Sequence, residues 1–104
     1  MRLTIEDRFI VINGLLPKKS DWLQAQIFRG VEKKCRPSES ELMQLTQRQE
    51  KKLPMWDVDF NPEAEVEFTA SENAQLIARI DRLKAEPEGI AISWVDTILK
   101  LTGE

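Results

Sequence analysis

The apolar residues of this chain change period twice. They recur every three or four positions up to about residue 45, alternate with acids over 56–68, and return to helical spacing from about residue 70. Side chains repeat every 3.6 residues on a helix and every two on a strand, so the pattern dictates helices, a short strand region, then helices. The expectation is an α-rich α+β fold, with about five helices around a small antiparallel β-hairpin or three-stranded sheet. At 104 residues, 1–104 is read as a single domain.

Capping residues set the helix boundaries. Thr4 suits the N-cap of a helix over 4–16, with Glu6 and Asp7 in the first turn and Pro17 as its stop. Ser20 is read as the cap of a helix over 20–35, whose apolar stripe is Leu23, Ile27, Phe28, Val31 and Cys35. Ser38 with Glu41 and Thr69 with Glu72 are capping boxes that open helices over 38–46 and 70–86. Ser93 is read as the cap of a last helix over 91–102. Strands are expected at 55–60 and 64–68, and the polar stretch 46–52 is open to being a third, edge strand. The predicted core is Phe9, Ile12, Leu16, Ile27, Phe28, Val31, Val58, Phe68, Ile77, Ile80, Val95 and Ile98.

Composition narrows the chemistry. The chain has no His, which removes the commonest general base, the His-activated nucleophiles and imidazole metal sites. Its one Cys, Cys35, ends an apolar stripe and is expected to pack rather than react. With four Gly in all, no phosphate loop or dinucleotide fingerprint occurs. Neither an enzyme nor a cofactor is expected. The longest apolar run, 9–12, is far short of the ~20 residues that span a membrane. Acids at Glu6 and Asp7 stand where a signal peptide needs its apolar core, so the expected location is the cytoplasm of a bacterial host.

The opening Leu3-Thr4-Ile5-Glu6-Asp7-Arg8, the stop Leu15-Leu16-Pro17 and the block Val66-Glu67-Phe68-Thr69 resemble small phage- and prophage-encoded proteins of no established activity. The resemblance implies a phage setting and transfers no catalytic or binding residue.

Charge supplies the candidate sites. Residues 1–52 carry 11 Lys/Arg against 7 Asp/Glu, and residues 53–104 carry 4 against 11. On a strand pair, Asp57, Asp59, Glu63, Glu65 and Glu67 would form an acidic band, and like charges across strands repel unless something offsets them. A band does not converge on a point, so no metal site is expected. The band, together with Trp22 as an aromatic anchor lying off the stripe of its helix, is the candidate surface for a protein partner or for homo-oligomer formation. The alternative is a winged-helix-like nucleic-acid-binding protein using Arg29, Lys33, Lys34, Arg36, Arg48, Lys51 and Lys52. The leading expectation is a small non-enzymatic phage accessory protein that acts by protein–protein interaction.

Overall fold

Three capping boxes start three of the helices. In a computed structural model, which describes residues 1–103, Thr4, Ser38 and Thr69 each accept a hydrogen bond from the backbone N–H three residues on. The side chains of Asp7, Glu41 and Glu72 return to the backbone N–H of the respective cap. The elements run β1 (Arg2–Thr4), α1 (Ile5–Ile10), a π-helical turn (Val11–Leu15), α2 (Trp22–Cys35) and α3 (Glu39–Glu50). They continue through β2 (Glu63–Glu65), α4 (Ala70–Ala85), a 3-10 turn (Ile92–Trp94) and α5 (Val95–Thr102). The architecture is an α-rich α+β fold of five helices and a two-stranded antiparallel sheet.

The strands are not the expected hairpin. β2 pairs with the N-terminal residues 2–4, in the register Arg2 to Glu65, Leu3 to Ala64 and Thr4 to Glu63. Bonds from Ile5 N–H to the Pro62 carbonyl (2.8 Å) and from Val66 N–H to the Met1 carbonyl (2.8 Å) extend the ladder at both ends. Residues 57–60 form a tight turn instead of a strand. Asp57 Oδ1 accepts from the N–H groups of Asp59 and Phe60, both at 2.9 Å, and curls the chain back before it can extend. Val58, predicted as core, stands fully exposed at the tip of this turn. Among the described residues no wing-like hairpin therefore follows α3, and the sheet has two strands rather than three.

The stretch 46–52, open in sequence to being an edge strand, forms the second half of α3 and its C-terminal stop. That helix ends where Lys52 adopts φ 57°, with Leu53 N–H bonded to the Arg48 carbonyl (2.9 Å) and Lys52 N–H to the Gln49 carbonyl (3.0 Å). This is a Schellman stop, built with a Lys where Gly is the usual residue. Two cap assignments also shift. Asp21, not Ser20, caps α2 by accepting from Gln24 N–H, and the last helix starts through the 3-10 turn without a side-chain cap from Ser93.

The core is one cluster to which β1, α1, the π turn, α2, α4 and α5 contribute, including Leu3, Val11, Leu15, Val31, Cys35, Leu76, Ile80 and Ile98. Phe28, Val31, Ile80 and Ile98 are buried as expected, whereas Val95 is exposed and Phe9, Ile12, Leu16, Ile27, Phe68 and Ile77 are half-buried. The π turn brings Gly14 under the Trp94 ring, where a Cβ would lie 2.6 Å from Trp94 Cζ2. Only glycine allows that approach. Among the described residues no helix is long and apolar enough to cross a membrane.

Candidate interaction surface

α3 contributes no buried residue, so something other than apolar burial holds it to the body. Arg8 on α1 is only 2% exposed and donates to Glu41 through Nη1 (2.8 Å) and Nη2 (2.6 Å), with further bonds to the Pro62 and Thr4 carbonyls. The Arg8 guanidinium brings the Glu41 carboxyl down to about 2. At its other end, Arg48 donates to the Pro54 carbonyl (2.9 Å) and to Asp57 Oδ2 (2.7 Å), and lies 4.7 Å from the centroid of the Phe60 ring. α3 is thus clamped at both ends by arginine forks.

Apolar side chains of α3 and of the loop that follows it remain in water. Leu42, Met43, Leu53 and Met55 are 50%, 66%, 46% and 49% exposed. Phe9, Leu42, Leu45, Leu53 and Met55 line a groove of about 540 Å³, with Lys52 on its rim. Phe9 stacks on Trp56, with ring centroids 5.7 Å apart. Its other side walls a second depression of about 380 Å³ that contains Trp56, Trp94 and Glu6. The two depressions join at Phe9, one carrying a cation and the other an anion. Among the described residues, the side chains of Lys52 and Glu6 make no ion pair.

The five candidate acids do not form one band. Asp57 is paired with Arg48, Glu63 with Arg2 (2.9 Å) and Glu65 with the Met1 amino group (2.9 Å). Hydrogen bonds from these partners hold Asp57 and Glu65 below the usual carboxylate range. Asp59 lies in the turn and Glu67 is exposed beyond β2. The 55–60/64–68 strand pair across which like charges would repel does not form, and three of the five acids pair with cations of their own chain. The basic candidates divide in the same way. Lys34 pairs with Glu72, Arg36 with Glu32 (2.7 Å), and Arg48 turns inward, while Lys51 and Lys52 are exposed at the end of α3. Arg29 and Lys33 are exposed on α2, and Trp22 is 79% exposed at its start.

Sequence reasoning missed the buried polar residues that organise the fold. Asp7 accepts from Thr97 Oγ1 (2.5 Å), Lys100 Nζ (2.6 Å) and Thr4 N–H (3.0 Å). Burial alone would raise its pKa, but the bonds from Lys100, Thr97 and Thr4 hold it below the ordinary value. Glu72 is likewise held down against burial by Lys34 and the Thr69 cap. The acid of each capping box therefore also binds a cation from another helix. The available signal is an acid in the first turn of each helix, which by itself points only to a local helix start. Burial pushes the Cys35 thiol up to about 12, which keeps it protonated. Among the described residues no group of three or more acids or cysteines is arranged to hold a metal. No family model matches the chain, and neither a curated protein nor a solved structure shows significant similarity to it.

Proposed function

We propose that this protein acts by binding a protein chain rather than by catalysis, and that the joined grooves around Phe9 are where it associates with a second copy of itself. The observation that carries the reading is the apolar groove of Phe9, Leu42, Leu45, Leu53 and Met55, left open because α3 is held by ion pairs at its ends. Exposed apolar surface with a polar rim is the ordinary signature of an interaction site. A second copy fits because the ends are self-complementary. Lys52 lines one depression and Glu6 the other, with Phe9 shared by both, so an isologous contact that pairs Lys52 of each copy with Glu6 of the other would satisfy both pairs at once. The non-catalytic reading is supported by the buried carboxylates, which are engaged in structural pairs, and by a thiol too basic to act as a nucleophile. The setting proposed for it is that of a small phage accessory protein.

Light scattering or sedimentation over a concentration series tests this. The expected result is a dimer that the double variant Leu53→Glu, Met55→Glu converts to a folded monomer. A wild-type protein that stays monomeric at the highest soluble concentration overturns the self-association reading.

A further inference from the structure

A second surface, distinct in chemistry from the apolar groove, lies on α2. Trp22, Arg29, Lys33 and Arg36 fall at positions i, i+7, i+11 and i+14, the last being the helix C-cap. At 100° per residue they occupy about 60° of arc, and at 1.5 Å per residue they extend over roughly 21 Å. All four are exposed. Beside this row opens a cleft of about 740 Å³, lined by Lys18, Arg29 and Arg36 over a floor of Leu16 and Phe28. Across the 17–20 loop lies a smaller cleft of about 320 Å³, lined by Lys19, Arg79 and Arg82. Cations from a loop, α2 and α4 thus converge, although the whole chain carries a net charge of −3.

Two acids, Asp21 and Glu32, line these clefts and are outnumbered by six cations. Asp21 uses its carboxylate to cap α2 through Gln24 N–H (2.9 Å). Glu32 meets Arg36 in a solvent-exposed i, i+4 pair, the kind that contributes little and exchanges readily for a stronger anion. Trp22 is the most exposed large aromatic of the chain, and among the described residues its ring makes no aromatic contact.

We infer that the α2 face of Trp22, Arg29, Lys33 and Arg36, with Lys18 and Lys19 at its foot, binds single-stranded nucleic acid. The cations take the phosphates and the indole stacks on a base. This pairing of a cationic track with an aromatic platform is how single strands are held without sequence readout. An acidic peptide would satisfy the cations and leave the indole without a planar partner. The surface differs from the set that a winged helix would use. It omits Lys34 and Arg48, which the fold has engaged elsewhere, and Lys51 and Lys52 at the far end of α3, and it adds Lys18, Lys19, Arg79 and Arg82.

The test is a fluorescence-anisotropy titration of the full chain against labelled oligothymidylate and oligouridylate of about 20 nucleotides and a mixed-sequence duplex, at rising salt, with polyglutamate as competitor. Single strands should bind at low salt, with log K falling linearly against log[salt] by about 0.7 per phosphate contact. Trp22→Ala should weaken binding by about 5- to 150-fold, the range of one lost base stack, and Trp22→Phe should restore most of it. Arg29→Glu with Lys33→Glu should abolish binding while leaving the thermal melt unchanged, since both side chains lie in water. The Leu53→Glu, Met55→Glu variant should still bind, which separates this surface from the self-association groove. No binding at low salt, a preference for the duplex, equal competition by polyglutamate, or indifference to Trp22→Ala would each overturn the inference.

Discussion

The Arg8 guanidinium grips the Glu41 carboxylate with two hydrogen bonds of 2.8 and 2.6 Å, and this one fork ties α3 to a helix 33 residues earlier in the chain. Glu41 is at the same time the acid of the Ser38 capping box. A local helix start and a long-range clasp share one side chain. Asp7 with Lys100, and Glu72 with Lys34, repeat the arrangement in the other two boxes.

Removing one side of the fork should cost far more than an exposed ion pair. Arg8→Met leaves Glu41 charged and half-buried without its partner, and a broken buried pair costs about 3–5 kcal/mol. Urea denaturation should show a loss of that order, and hydrogen exchange should place the largest loss of protection in α3. A change below that range, or one spread evenly over the fold, would show that α3 is held by something other than Arg8.

Acid should unfold the protein through these clasps. Glu41 ordinarily titrates at 4.5 and is held at about 2 in the fold, and Asp7 and Glu72 are also lowered. A carboxylate with a depressed folded pKa contributes stability that is complete above its unfolded pKa and is lost as pH falls through the folded one. Stability should therefore hold down to about pH 4.5 and fall progressively toward pH 2, as read by thermal melts. In Glu41→Gln the slope over that interval should be shallower.

Gly14 should not tolerate a methyl group. The Cβ of Gly14→Ala would press on the rigid Trp94 ring, and overpacking costs about 1–3 kcal/mol, more than the ~1 kcal/mol that alanine gains in helix propensity. Net destabilisation is the expected result, with a change in tryptophan emission as the ring moves. A Gly14→Ala variant as stable as wild type would mean that the π turn relaxes freely.

Lys52 offers the opposite case. It occupies the left-handed position of the Schellman stop at φ 57°, where glycine carries no Cβ penalty. Lys52→Gly should stabilise the protein by about 1 kcal/mol in urea denaturation. It should also weaken self-association, because it removes the cation from the groove rim. Stabilisation with unchanged association would retain the backbone argument and remove Lys52 from the interface.

The start of α4 at Ala70, the start of α3 after Ser38 and the burial of Phe28, Val31 and Ile80 were legible in the sequence, because a capping box and a helical stripe are written within a few neighbouring residues. So was the exposure of Trp22, which lies off the stripe of its own helix. The candidate grooves were not legible. Phe9, Leu42 and Met55 each look like core residues, and only the placement of α3 at the end of an arginine fork leaves them open. The strand pair depended on the same kind of information. The alternation at 56–60 gave way to a turn closed by the Asp57 side chain, while β2 found a partner about 60 residues away in a three-residue segment too short to show a period. Local hydrogen bonding and hydrophobic period determined where the helices begin and which face turns inward. Glu32 and Arg36 meet at the i, i+4 spacing of a helix, but only the tertiary structure decided that Arg8 meets Glu41, Lys34 meets Glu72 and Lys100 meets Asp7, because no sequence spacing relates those residues.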